Sequence, residues 1–248
     1  MTEHESRVAL VTGGGRGIGR EIVAGLARRA MTVLLGARDP HRGQEAVVAL
    51  RATGADVHLI RLDVTDPGSV GEAAVQVEDQ FGRLDVLVNN AGISGDHSGQ
   101  LPGATDLDVV REVFSTNVFG VIAVTEAMLP LLRRSPSARI VNLSSSVGSL
   151  TRMSDAGHYF TELPGSLAYA PSKAALNQVT VQYAKQLKAE GILVNAADPG
   201  PCATDFTTAF PGLSRTAADG AAIAIELATL AHNGPTGGYT SDLGPVPW

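Results

Sequence analysis

The sequence predicts an α/β protein built on a doubly wound parallel sheet. Three observations predict it. Apolar runs of strand length alternate with segments of helical period along the whole chain, no linker or repeat divides them, and a glycine-rich turn joins the first strand to the first helix. Runs that are apolar at every position belong to strands buried on both faces, and the crossover between two parallel strands must traverse one of those faces as a helix. The chain has 248 residues, 44% of them hydrophobic, which fits one domain of this kind. At that size roughly three-quarters of the unfolded surface is buried, so no disulfide or metal staple is required.

The elements follow in order. Val8-Ala9-Leu10-Val11 is the first strand, closed by Thr12-Gly13-Gly14-Gly15, and Ile18, Ile22, Val23 and Leu26 recur at helical spacing behind it. Thr32-Val33-Leu34-Leu35 is the second strand. A helix-compatible stretch over 40–53 follows, with Pro40 suited to a first helical turn. Val57-His58-Leu59-Ile60 is the third strand and 69–81 the next helix. Residues 84–88, 139–143 and 192–196 supply the fourth, fifth and sixth strands, with long helical patterns over 106–132 and 166–190 between them. Residues 234–239 read as a final strand with turns. The tail carries the only tryptophan, Trp248, which anchors it on its own domain or on a partner.

Composition narrows the function classes. Twenty-five acidic against nineteen basic residues, a net charge of −6, argue against a nucleic-acid-binding surface. A single cysteine, Cys202, excludes an internal disulfide and a cysteine-cluster metal site, so no metal is expected. The polar, acidic start over residues 1–7 lacks the basic and then apolar pattern of a secretion signal. The best membrane candidate, 118–132, contains Thr125, Glu126 and Pro130 and is too short to span. The expectation is a cytoplasmic protein with neither membrane nor nucleic-acid partners.

The turn Thr12-Gly13-Gly14-Gly15-Arg16-Gly17-Ile18-Gly19 points to chemistry. Glycines let a backbone turn tightly and approach a pyrophosphate, and the helix that follows offers unpaired N–H groups and the positive end of its dipole. Its spacing, Gly-x3-Gly-x-Gly, departs from the more familiar Gly-x-Gly-x-x-Gly. The second strand ends in Arg38-Asp39. An arginine here meets a ribose 2′-phosphate through its planar donor fork, and Arg16 could approach from the other side, which favours NADP(H). Asp39 stays open as the acid that would instead accept a ribose hydroxyl and select NAD(H).

Taken together the motifs resemble the short-chain dehydrogenases/reductases, in their compact single-domain branch. The resemblance covers nearly the whole chain. It rests on the 12–19 turn, Asp63-Val64, Asn89-Asn90-Ala91-Gly92, Asn117, Ser145, Tyr169-Ala170-Pro171-Ser172-Lys173, and Asn195 through Pro199-Gly200. Ala37-Arg38-Asp39 with Arg42-Gly43-Gln44 looks like the NADPH-dependent carbonyl reductases of that family. The resemblance implies a Rossmann fold of seven strands in the order 3-2-1-4-5-6-7. It implies cofactor contacts from Gly13, Gly15, Arg16, Gly17, Ile18, Gly19 and Arg38. Asp63 and Val64 would lie at the adenine, and Asn90, Ala91 and Gly92 at the adjoining ribose. Pro199, Gly200, Cys202 and Thr204 would border the nicotinamide.

The catalytic group implied is Asn117, Ser145, Tyr169 and Lys173, with Tyr169 and Lys173 also touching the cofactor. Ser145 is preferred to Ser144 and Ser146 because the family's serine stands three residues before a glycine, here Gly148. Lys173 follows Tyr169 by one helical turn, so the two side chains share a face. Its ammonium would favour the phenolate, Ser145 would polarise a carbonyl oxygen, and Asn117 would hold a water of a proton relay. The implied activity is NADPH-dependent reduction of a ketone or aldehyde. Alternatives are the same site oxidising an alcohol, and a non-catalytic NADP(H) sensor, which would be expected to lack Tyr169 or Lys173.

The sequence departs from the compact pattern in one place. Tyr169 follows Ser145 by 24 positions, and the extra residues, about 151–165, include Met153, His158, Tyr159, Phe160 and Leu163. They read either as a lid over the substrate or as an excursion packing its own aromatics. His158 has no metal partner at ligand spacing. Related insertions block subunit contacts in some family members, so monomer and homodimer are both open. A second segment, about 202–215, follows the sixth strand, where open α/β sheets bind ligands. It is expected to cover the substrate, with Asp205, Phe206 and Phe210 as candidate contacts. The cofactor assignment has a direct check. Arg38→Asp is expected to shift the NADPH/NADH preference towards NADH in steady-state assays, and an unchanged ratio counts against it.

Overall fold

The computed structural model describes residues 6–208 and 212–248. Seven parallel strands and one antiparallel edge strand form a single sheet in the order β3-β2-β1-β4-β5-β6-β7-β8. These are β1 (Val8–Thr12), β2 (Thr32–Ala37), β3 (Val57–Arg61), β4 (Val86–Asn89), β5 (Arg139–Leu143), β6 (Leu193–Asp198), β7 (Tyr239–Ser241) and β8 (Gly244–Pro245). The helices are α1 (Gly17–Ala27), α2 (Pro40–Arg51), α3 (Pro67–Phe81), α4 (Leu107–Phe114), α5 (Gly120–Leu132), α6 (Leu150–Ser154), α7 (Tyr169–Leu187) and α8 (Ala217–Ala228). The predicted order of seven strands is observed. The eighth is an addition too short for periodicity to reveal, and its Pro245 closes an edge that would otherwise offer a free ladder.

Because side chains alternate along a strand, each strand feeds two cores. Ala9 and Val11 of β1 face one layer with Ile22, Val23 and Leu26 of α1 and Ile223 and Leu227 of α8. Val8 and Leu10 face the other, with Val77 of α3, Val124 and Met128 of α5, and Leu187 of α7. Gly25 lets α1 and α8 approach closely, since a Cβ there would collide with Ile225.

The long 106–132 pattern is one helical run broken in register rather than one regular helix. α4 passes through a π turn over Ser115–Phe119 into α5. Counted from Leu107 the run has 26 residues and is long and apolar enough to cross a membrane, a correction to the shorter stretch read from sequence. Here 56% of its most apolar window is buried in the fold, as befits a core helix lying on a sheet. The second long pattern starts later than expected, at Tyr169 instead of 166. The reason is a tertiary cap: the buried Gln100 Oε1 accepts the Tyr169 N–H at 2.9 Å and the Ser166 hydroxyl at 2.7 Å.

Asp85, just before β4, ties the N-terminal edge of the sheet together. Its carboxylate accepts the Val8 N–H at 2.8 Å, the Ser135 hydroxyl at 2.6 Å and Arg83 Nε at 3.3 Å. Asp85→Ala leaves a buried N–H without its acceptor, and a loss of about 1–3 kcal/mol in urea unfolding is expected.

Candidate active site

The C-terminal ends of β1, β4, β5 and β6 meet on one side of the sheet, where loops supply polar groups. After β1 the chain turns through Gly13 and Gly17, both at positive φ (63° and 52°), which only glycine adopts without strain. The Thr12 hydroxyl accepts the N–H groups of Asn90 and Ala91 at 3.0 and 2.9 Å. In return the Asn90 amide donates to the Thr12 and Gly13 carbonyls at 2.8 and 3.2 Å. Asn90, expected at a ribose, therefore buttresses the glycine turn from beneath with its side chain. A Cβ on Gly19 would strike this Asn90 amide and the Gly13 carbonyl.

α1 opens from this turn without a side-chain cap. In contrast α2, α3, α4 and α8 are capped by Asp39, Asp66, Asp106 and Thr216. The first N–H groups of α1 are thus available to an anion, and the loop residues fit a dinucleotide pyrophosphate.

Beyond β2 the two competing residues separate. Asp39 caps α2, accepting the N–H groups of His41 and Arg42 at 2.9 and 3.3 Å, and pairs with Arg42 Nε at 3.5 Å. Arg38 is exposed beside it. Burial works to raise the Asp63 pKa, but hydrogen bonds from Thr65 and the charges of Arg38 and Arg61 outweigh it and hold the carboxyl below its ordinary range. The Arg16 Nη1 pairs with Asp205 at 3.0 Å, both side chains largely exposed. That contact runs from the glycine turn to the segment after β6, at the edge of a cleft of about 510 Å³ lined also by Gly92, Ile93, Ser94 and Phe206.

The catalytic candidates converge beside Phe206, which lines this cleft and lies over Tyr169. After β5 the three serines diverge: Ser144 donates to Asn177 Oδ1 at 2.5 Å, Ser146 donates to Asp198, and Ser145 meets the Tyr169 phenol. Lys173 is buried; its Nζ lies 5.7 Å from the centre of the Tyr169 ring and donates to the Leu143 carbonyl at 2.8 Å. Gly92 completes this corner, since a Cβ there would sit 3.3 Å from Asn117 Oδ1 and 3.7 Å from Lys173 Nζ. Asn117 lies in the π turn. Its Oδ1 accepts the Ile93 N–H at 2.9 Å, and its Nδ2 donates to the Ile93 carbonyl at 2.9 Å and to Ser172 Oγ at 3.0 Å.

Electrostatics differs from the sequence expectation of an acidified phenol. Burial, eased by Ser145 and reinforced by Asp198, pushes the Tyr169 phenol up to about 12. Burial also pushes Lys173 down to about 8, against the opposing pull of Asp198. Desolvation dominates because it penalises the charged form of each group.

The segment after β6 borders the same corner. Gly200 turns at φ 66° and its N–H donates to Asp198 Oδ1 at 3.0 Å. The buried Cys202 thiol lies 3.5 Å from the Pro199 carbonyl, and a Cβ on Gly220 would approach it to 2.6 Å. Thr204 stands over Gly17, its Cβ 3.8 Å from where a Cβ would be, and Phe206 lies over Tyr169 with ring centres 5.7 Å apart. Phe210 lies outside the described residues. In the insertion, His158, Tyr159 and Phe160 pack on one another with ring centres 4.4–4.8 Å apart. The C-terminal tail is anchored on its own domain. Trp248 stacks on Tyr239 at 5.3 Å, and its carbonyl accepts the N–H and hydroxyl of Thr151 at 3.0 and 2.6 Å.

Gln100 is a structural support that none of the sequence motifs contains, because its partners Ser166 and Tyr169 lie far along the chain. Thr12, Ser172 and Asp198 lie inside those motifs, but local pattern assigns them no partner of their own.

A dinucleotide-type glycine turn facing a serine, tyrosine and lysine across one parallel sheet is the arrangement of an oxidoreductase that interconverts alcohols and carbonyls. The chain belongs to the short-chain dehydrogenase/reductase family, whose short chain dehydrogenase model matches residues 7–211. It is 33% identical to short-chain dehydrogenase/reductase 1 of Saponaria officinalis over 287 aligned positions, covering 94% of this chain and 93% of the relative. It is 32% identical to a (+)-neomenthol dehydrogenase of Capsicum annuum, covering 94% of each. Among solved structures, an NADPH-bound carbonyl reductase from chicken fatty liver superposes with a TM-score of 0.85 at 30% identity, over 98% of this chain and 100% of that one. Salutaridine reductase from Papaver somniferum superposes with a TM-score of 0.81 at 31% identity, over 95% and 99%.

The close packing of α7 is exposed to test at Gly148. A Cβ there would fall 2.7 Å from the Lys173 carbonyl carbon and 2.8 Å from its Cβ, so backbone must move. Gly148→Ala is expected to lower the melting temperature by several degrees and turnover more than tenfold, read by calorimetry and steady-state assay.

Proposed function

We propose that this protein is an NADPH-dependent reductase that converts a ketone or aldehyde to its alcohol, with Tyr169 as general acid. The observation that carries the reading is the meeting of Ser145, Tyr169 and Lys173 opposite the uncapped glycine turn. NADP(H) is favoured because Asp39 is engaged as a helix cap and with Arg42, while Arg38 faces solvent beside it. The carbonyl reductase from chicken liver was solved with NADPH, which agrees with this choice.

The cofactor supplies a hydride; the protein supplies position and a proton. The Gly13–Gly19 turn and the α1 N-terminus would hold the pyrophosphate, Arg38 the 2′-phosphate, and Lys173 the nicotinamide ribose. A substrate carbonyl oxygen between Ser145 and Tyr169 would receive a hydrogen bond from each, so charge developing on it is met by donors already in place. Tyr169 then passes its phenolic proton to the alkoxide, and Lys173 stabilises the phenolate left behind. The Asn117 side chain is committed to Ile93 and Ser172, so a relay water reaching Lys173 would be held by the backbone of the π turn. Phe206 would supply an apolar wall, and the Arg16–Asp205 contact would close the mouth.

Turnover of aromatic ketones, quinones, steroids and diketones, followed as NADPH oxidation, tests the reading. Tyr169→Phe is expected to abolish turnover while NADPH binding, measured by fluorescence titration, persists. Near-normal turnover in that variant refutes the proton role.

A further inference from the structure

Gln100 closes a short turn over Ser98–Gln100 and is 1% exposed. All four hydrogen-bonding positions of its amide are filled. Oε1 accepts the Tyr169 N–H at 2.9 Å and the Ser166 hydroxyl at 2.7 Å. Nε2 donates to the Ser94 carbonyl at 2.7 Å and to the Asp96 carbonyl at 3.1 Å. Donors face the oxygen and carbonyls face the nitrogen, so these partners fix the orientation of the amide. The backbone adds a further tie, because the Gln100 carbonyl accepts the Leu167 N–H at 2.9 Å.

These partners belong to two different parts of the site. Ser94, Gly95 and Asp96 line the cleft of about 510 Å³, and Phe206 of the same cleft lies over the Tyr169 ring. Ser166, Leu167 and Tyr169 lead from the end of the insertion into the first turn of α7. The cleft wall is shaped around the amide. Gly95 turns at φ 71°, and a Cβ there would fall 3.1 Å from Gln100 Nε2 and 2.6 Å from a Val113 methyl. Asp96 folds back on Ser98, accepting its N–H at 3.0 Å and its hydroxyl at 2.9 Å.

Resting on the reductase reading, we propose that Gln100 is a positioning residue that holds the 94–96 wall of the cleft in register with Tyr169. The oxygen end of the amide places the helix turn that carries the acid. The nitrogen end places the surface on which a substrate rests. A buried amide paired at every position resists displacement, because any shift leaves a desolvated donor or acceptor without its partner. The wall and the first turn of α7 therefore keep one spacing. A carbonyl compound lying against Ser94–Asp96 meets the phenol at a distance set by the protein and not by the substrate.

Gln100→Glu separates the two ends. A carboxylate of the same shape still accepts from Tyr169 and Ser166 but has no donor for the Ser94 and Asp96 carbonyls. Steady-state assays on this variant are expected to show the carbonyl substrate's KM raised about tenfold, with the KM for NADPH unchanged. A substrate KM equal to that of the unaltered protein, or a rise shared by NADPH, overturns the proposal even if kcat falls. A merely structural support would lose active protein, and so kcat, while leaving KM alone. If Gln100→Glu does not fold, or no carbonyl compound is turned over, native-state amide exchange of the unaltered full-length protein in low urea decides. The Gln100, Leu167 and Tyr169 amides are expected to open as one unit with a common urea dependence, and separate openings overturn the proposal. Persistent turnover in Tyr169→Phe would instead overturn the reductase mechanism, and it leaves the exchange measurement readable on its own.

Discussion

The site depends on a buried polar ladder between α7 and the end of β5. Lys173, Asn177 and Thr180 recur at one helical face, and each bonds to that strand or the turn beyond it. Lys173 donates to the Leu143 carbonyl, Asn177 joins Ser144 and the Gly148 carbonyl, and Asn142 donates to the Thr180 hydroxyl. Asn142 also accepts from Asn89 at 2.9 Å, which carries the network across to β4. A polar face is an unusual way to seat a core helix. Once its members are paired, the network specifies register more sharply than apolar contacts do. Gly148 makes it possible by letting the strand end lie against the α7 backbone.

With α7 fixed along its length, its first turn is fixed as well. Tyr169 is the first residue of the helix, and Gln100 holds that end from a loop after β4. The phenol and the ammonium are then presented from a rigid helix in a desolvated corner, and burial dominates their ionisation. The local field is set by a few groups, while the net charge of −6 is spread over the surface and says little about it.

The segments beside this group are built differently. The segment after β6 crosses to the glycine turn through an exposed Arg16–Asp205 pair, a contact of the kind worth little in water and readily exchanged. The insertion packs its aromatics on one another and is pinned by the C-terminal tail through Thr151 and Trp248. A buried polar group on α7 is thus flanked by segments held through surface contacts and through the tail, an arrangement in which loops vary on a fixed scaffold.

The sequence by itself determined the sheet and its helices, and it named the residues that the fold brings together at the candidate site. A strand buried on both faces must be apolar throughout, a phosphate turn must be glycine-rich, and Tyr169 and Lys173 share a helix face because they stand four apart. Tertiary structure decided which of several equivalent residues does what. Ser144, Ser145 and Ser146 are alike in sequence apart from their distance to Gly148, and in the fold each takes a different partner. Asp39 became a helix cap, Arg16 turned to Asp205, and Asn90 turned beneath the glycine loop. Asp198, at the end of β6, came to accept the Ser146 hydroxyl and the Gly200 N–H. Local pattern records periodicity and backbone freedom, which are properties of neighbours in the chain. The partner of a polar side chain is set by which strand ends the sheet brings together, and that is fixed only when the whole domain closes.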